Sequence, residues 1–176
     1  MNFIILLLLV NVPLNTIKIF DFNSESNIYN WQIVNDVVMG GKSSSTITIN
    51  KEGHAQFSGT VSTENNGGFS SVRHNFKSVS VKKTSKICAL IKGDGKVYQL
   101  RVKDRYNNYY SYIHTFCTSE NWQEIEIPLS EMYPSFRGKT LNKPNFNHDV
   151  IEEITFLIAN NKSEKFQLII DKIYLK

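Results

Sequence analysis

Residues 31–73, WQIVNDVVMGGKSSSTITINKEGHAQFSGTVSTENNGGFSSVR, decide the fold class. Side chains of a strand alternate between two faces, so hydrophobicity with a period of two marks a strand buried on one side. Within SSTITI, Ile47 and Ile49 fall on one face and Thr46 and Thr48 on the other. Lys51-Glu52-Gly53 turns the chain into HAQFSGTVS, where Ala55, Phe57, Gly59 and Val61 share a face, so the pair reads as a β-hairpin. A glycine-centred loop stands on each side of it, WQIVNDVVMGGKSSS before and TENNGGFSSVR after. Each loop sets a Gly-Gly pair beside Asn or Asp, residues that tolerate positive φ and hydrogen-bond their own backbone, which predicts tight turns whose glycines hold unusual φ. In the strand that leaves the second loop, Phe69, Ser71, Arg73 and Asn75 point one way, and Ser70, Val72, His74 and Phe76 the other. Arg73 then has two readings. It belongs to a polar binding surface with its face-mates, or it pairs with a carboxylate such as Asp36 or Glu64 and fastens the two loops, the commoner use of such a residue.

The same period continues outward in both directions. TIKIFDF, residues 16–22, predicts a first strand, and Trp31 to Val34 a second. KICALIK ends at the turn Gly93-Asp94-Gly95, after which KVYQLRV alternates Tyr98, Leu100 and Val102 against Gln99, Arg101 and Lys103. YYSYIHTF puts Tyr110, Tyr112, His114 and Phe116 on one face, and the stretch from Trp122 to Leu129 sets Ile125, Ile127 and Leu129 opposite Glu124 and Glu126. Met132 to His148, with Pro134, Gly138 and Pro144, reads as a long irregular excursion. ITFLIA and FQLIIDKIYL complete the set. No long stretch keeps a helical period. Roughly ten short strands with turns between them predict an all-β sandwich or barrel with little helix.

Composition narrows the function classes. With 41% hydrophobic and 20% charged residues the chain is an ordinary globular one, and its 176 residues suit a single domain over residues 17–176. The net charge of +4 would allow an acidic partner, but the longest basic run is Lys82-Lys83, so no nucleic-acid partner is expected. GGKSSS, residues 40–45, echoes a phosphate loop; that motif needs Gly where Asp36 stands and a helix where this chain alternates as a strand. Histidines 54, 74, 114 and 148 lack zinc spacing, and Asp21 and Asp171 near the chain ends lack the dense Asp-x-Asp pattern of a calcium site. There is no Gly-x-Ser-x-Gly elbow, and Glu124 and Glu126 read as solvated charges rather than a catalytic pair. Hence no catalytic residue, metal or cofactor is assigned. Cys88 and Cys117 set no disulfide framework.

Residues 1–16 stand apart. Phe3 to Val10 is an unbroken apolar run of eight, too short to span a bilayer and suited to the h-region of a secretory signal, although no Lys or Arg precedes it and no Ala-x-Ala follows. The alternatives are a buried first strand or an extended start of the reading frame. Export or a periplasmic location is expected from the apolar start, and the cytoplasm otherwise. No Arg occurs before Arg73, so a mitochondrial presequence is not evident.

The ordered set of motifs resembles the complex I intermediate-associated protein 30 family. Trp31, Asn35-Asp36, VMGG and NGGFSSVR are followed by IKGDGKVYQLRV, Trp122 with IPLSEM, FRGKTL, FLIAN and FQLIIDKI, in the family's order from about Ile19 onward. The resemblance implies a galactose-binding-like jelly roll. It also implies a non-enzymatic assembly factor, or chaperone, that binds a protein client among the subunits or intermediates of respiratory NADH:ubiquinone oxidoreductase. The signature positions it carries over as candidate partner-binding residues are Asn35, Asp36, Met39, Gly40, Gly41, Ser43, Asn66, Gly67, Gly68, Phe69, Ser71 and Arg73, with Gly93, Asp94 and Gly95 in a later turn. Such domains also resemble carbohydrate-binding modules, which makes a glycan the alternative ligand, with Phe69, Tyr110 and Tyr112 as stacking candidates. Exposed aromatics in a narrow concave groove would favour the sugar; a flat patch would favour a protein.

Overall fold

The computed structural model describes residues 16–176, so the apolar start and its signal-peptide reading lie outside the described residues. Period-two patterning becomes thirteen strands: β1 (Ile17–Asp21), β2 (Trp31–Asn35), β3 (Ser44–Ile49), β4 (Ala55–Val61), β5 (Ser70–Ser80), β6 (Lys86–Lys92), β7 (Val97–Lys103), β8 (Ser111–Cys117), β9 (Gln123–Pro128), β10 (Tyr133–Phe136), β11 (Lys139–Thr140), β12 (Val150–Ile158) and β13 (Glu164–Leu175). No α-helix occurs among the described residues, and the chain between strands uses three short 3-10 turns instead.

Two antiparallel sheets form the sandwich. One runs β3-β4-β13-β6-β9, with β1 also paired to β13. The other runs β11-β10-β8-β7-β12-β5-β2. The inward positions are the apolar ones expected from alternation: Phe57, Ile87, Ile91, Leu168 and Ile170 from the first sheet meet Val72, Tyr98, Leu100, Val102, Ile154 and Phe156 from the second, all with no accessible surface. Each large side chain buried in this way contributes about 1.5–3 kcal/mol, which is why the period of two survives along nearly every strand.

Two differences from the sequence reading bear on function. The excursion from Met132 to His148 contains a hairpin, β10–β11, turned by Arg137 at φ 47° and Gly138 at φ 76°. Its strands are four and two residues long, too short to show a period. Tyr112 is buried in the core and presents no open ring for stacking, while Tyr110 is half-buried against it with Lys143 Nζ 5.5 Å over its ring. The phenol of Tyr112 instead meets His148 Nε2 at 2.7 Å. The turn Gly93-Asp94-Gly95 has a structural role: Asp94 accepts hydrogen bonds from Tyr98 Oη (3.1 Å), Lys96 Nζ (2.8 Å) and the backbone N–H of Gln167 (2.9 Å), tying the β6–β7 hairpin to β13.

Candidate functional site

The two glycine loops meet at Asp36, which follows β2 and is completely buried. Its carboxylate accepts the backbone N–H and hydroxyl of Ser43, at 2.9 and 2.5 Å, and the backbone N–H groups of Gly68 and Phe69, at 2.6 and 3.3 Å. Burial pushes the carboxyl upward, but the donors from Ser43, Gly68 and Phe69 outweigh it and hold Asp36 below the ordinary carboxylate range. Beside it, Asn35 Oδ1 accepts from Ser45 Oγ at 2.9 Å and from Ser70 Oγ at 2.7 Å, while Ser43 Oγ accepts the N–H of Ser62 at 2.9 Å.

Each Gly-Gly pair divides its work. Gly40 (φ 89°) and Gly68 (φ 130°) hold positive φ, as the loops predicted. Their partners are glycine because of close approach: a Cβ on Gly67 would lie 2.6 Å from Asp36 Oδ2 and 2.8 Å from the carbonyl of Ser62. Arg73 does not fasten the loops. Among the described residues it pairs with no carboxylate, because Asp36 is already saturated by neutral donors and Glu64 pairs with Lys42 across the loop mouths.

Arg73 instead faces a groove of about 1010 Å³ over the outer face of the seven-stranded sheet. Pairing register explains its floor. Gln32, Arg73, Thr155, Arg101, Ile113 and Tyr133 form one cross-strand row through β2, β5, β12, β7, β8 and β10. Leu157 beside Ser71 and Gln99 makes the row on one side, and Glu153 beside Lys103 the row on the other. Arg101 directs Nε and Nη2 onto Gln99 Oε1 at 3.0 and 2.6 Å, and Lys103 lies 3.7 Å from Glu153. Burial pulls the Arg101 guanidinium down to about 10 against an opposing influence of Tyr133, with a smaller downward contribution from the charge of Arg73. Arg73 Nε is buried and has no hydrogen-bond partner.

The groove's two ends differ in character. At one end Tyr109 and Phe136 are exposed and pack edge to face, 5.3 Å apart at 83°, with Arg137 lying 5.2 Å over the Phe136 ring. At the other, Val38 and Met39 line the groove from the turn after β2, where Val37, Val38 and Met39 are 60%, 74% and 54% exposed.

Sorted by place, the twelve signature residues fall into two groups. Asn35, Asp36, Gly40, Gly41 and Ser43 build the loop junction. Met39, Asn66, Gly67, Gly68, Phe69, Ser71 and Arg73 line the groove, although Gly67 and Gly68 also clasp Asp36. Sequence reasoning did not single out Arg101, Gln99, Lys103, Tyr109, Glu153 and Thr155 as groove residues. The polar side of KVYQLRV was the available signal for three of them.

The one grouping of Cys88, Glu124 and Glu126 with donor atoms within 4.8 Å of one another among the described residues is occupied by cations, since Lys176 binds both glutamates and Lys86 binds Glu126. Those ion pairs hold the Glu126 carboxyl down at about 2, a value suited to a fixed charge and not to proton transfer near neutrality.

The family described as complex I intermediate-associated protein 30 matches residues 20–170. The chain belongs to the complex I intermediate-associated protein 30 family. An uncharacterised protein of Schizosaccharomyces pombe is 28% identical, with 81% of this chain and 76% of the yeast protein covered. Among solved structures, a family 11 carbohydrate-binding module from Clostridium thermocellum, in complex with a β-1,3-1,4-mixed-linked tetrasaccharide, superposes with a TM-score of 0.64 at 25% identity over 90% of this chain and 94% of that one. The family 11 module of a cellulosomal cellulase from the same organism gives a TM-score of 0.65 at 23% identity over 92% and 94%. This chain of the intermediate-associated protein 30 family therefore has the galactose-binding-like jelly roll of those modules.

Proposed function

We propose that this protein is a non-catalytic binding protein that holds a protein client, of the complex I assembly type, in the groove of its seven-stranded sheet. The observation that carries this reading is the exposed aliphatic turn Val37-Val38-Met39, continuous with the groove through Val38 and Met39. Contiguous exposed apolar side chains beside a polar cleft suit a protein surface, where Met adapts to a partner's shape; a sugar hydroxyl gains nothing from them. Family membership supports a client of that class.

A second reading has its own observation. The groove with Tyr109 and Phe136 at its rim resembles a saccharide cleft, and a module 25% identical to this chain was solved with a tetrasaccharide. Against it, the two rings stand at 83° and Arg137 covers Phe136, so they form no coplanar platform for successive sugars.

One preparation tests both. The tagged protein is purified from its own cells and, in parallel, titrated calorimetrically with the mixed-linked tetrasaccharide. Enrichment of complex I subunits that is lost in Met39→Asp, with no heat from the sugar, is the expected result. Sugar binding that is lost in Tyr109→Ala, with no subunit enriched, overturns the client reading in favour of a glycan.

A further inference from the structure

The groove as a whole is over-supplied with positive charge. Four basic residues line it, Arg73, Arg101, Lys103 and Arg137, against one acid, Glu153. Glu153 is already committed, lying 3.7 Å from Lys103 and accepting from the hydroxyl of Thr155 at 3.4 Å. Neither Arg73 nor Arg101 has an ion-pair partner among the described residues, and residues 1–15 contain no Asp or Glu that could reach them. Among the described residues the two guanidinium groups are therefore charges without a counter-charge.

Their placement is defined by register. Arg73 and Arg101 stand on either side of Thr155 in the same cross-strand row. Two strand spacings put their Cα atoms about 10 Å apart. Long side chains from both can converge on one small group above Thr155. Gln99 fixes the Arg101 fork through two hydrogen bonds to one amide oxygen. Arg73 keeps a buried, unused Nε donor. Guanidinium groups match a carboxylate geometrically, through two parallel N–H donors, and a charge-assisted pair in a partly dehydrated cleft is stronger than one in water. A neutral hydroxyl would leave the charge imbalance in place.

We infer that the middle of the groove is a carboxylate subsite, formed by Arg73 and Arg101 across Thr155, which receives an acidic side chain of an extended client segment. The inference rests on the protein-client reading and adds the chemistry by which the client is chosen. It commits to a peptide because the groove runs on into the aliphatic turn at Val38 and Met39, which would take an apolar side chain of the same segment.

The test uses the full chain and two labelled peptides, one alternating Ser and Glu and its counterpart alternating Ser and Gln, followed by fluorescence anisotropy. The Glu peptide is expected to bind at least about tenfold more tightly than the Gln peptide, and the preference to shrink as salt rises. Arg73→Gln and Arg101→Gln should each abolish the preference, Arg73→Lys should retain part of it, and Lys51→Gln, which removes the same charge from the turn between β3 and β4, should leave it intact. Should Arg101→Gln fail to fold, Arg73→Gln still decides. Equal binding of the two peptides, or an equal loss in Lys51→Gln, overturns the subsite, as does a uronic-acid oligosaccharide binding where the Glu peptide does not. Complex I subunits that co-purify equally with wild type and the Arg73→Gln Arg101→Gln variant would sink the subsite while leaving the client reading standing. A preference for the Glu peptide in a protein that captures no complex I subunit would do the reverse.

Discussion

The junction of the two glycine loops and the floor of the groove lie on neighbouring strands, yet they treat buried charge in opposite ways. At the junction, one carboxylate receives four hydrogen bonds from Ser43, Gly68 and Phe69, and its ionised form is favoured despite complete burial. On the floor, two guanidinium groups share a row with Thr155 and have no counter-charge among the described residues. A charge that is saturated from within holds a fold together. A charge left short of partners keeps binding energy available for something from outside. The comparison divides the family signature: Asp36, Asn35, Ser43 and the glycines serve the scaffold, whereas Arg73, Phe69 and Met39 face the groove.

The largest effect should come from Asp36→Ala. It strands buried N–H donors of both loops and should cost about 3 kcal/mol, a fall in Tm of roughly 6–12 °C in thermal unfolding. Acid sharpens the point. Because the folded pKa of Asp36 lies below 3.8, its contribution is complete above that pH and is lost as pH falls toward the folded value. The stability gap between wild type and Asp36→Ala should therefore narrow in denaturant titrations below pH 3.8, and a gap constant with pH would break the account of the junction.

Gly67→Ala should come next, at about 1–3 kcal/mol, because the new Cβ would stand 2.6 Å from Asp36 Oδ2 and 2.8 Å from the Ser62 carbonyl. Combined with Asp36→Ala its cost should drop, since part of the obstruction is then gone. Additive costs would mean that the backbone carbonyls of Ser62 and Glu64 enforce glycine there without Asp36.

The smallest effect belongs to the groove. Arg73→Gln and Arg101→Gln together should change stability by less than about 0.5 kcal/mol, or raise it, because two unpaired charges are removed from a partly dehydrated surface. A large loss of stability would erase the contrast between junction and floor, and with it the assignment of Arg73 to a ligand.

Much of the architecture was legible before any coordinates. Alternation in TITI, QFSGTV and VYQLRV identified the strands and their buried faces because only one side of each strand can enter an apolar core. The β10–β11 hairpin was missed because two or four residues are too few to display a period. Tyr112 is buried rather than open for a related reason: the alternation that groups it with Tyr110 on a face does not say whether that face meets the core or solvent. Tyr109, one residue before Tyr110, is the exposed one.

What the sequence by itself determined is the class of fold, the family and the turn conformation that Gly40 and Gly68 hold at positive φ, all of which depend on neighbours along the chain. What only the tertiary structure decided is which residues stand side by side. Arg101 and Arg73 flank one position because β12, more than fifty residues further on than β7, inserts between β5 and β7. Asp36 finds its donors at Gly68 and Phe69, 32 and 33 residues away, and so cannot be the partner of Arg73. Period-two patterning gives each strand its faces, but the order of strands in a sheet is set by how all the apolar faces close over one core, and that is a property of the whole chain.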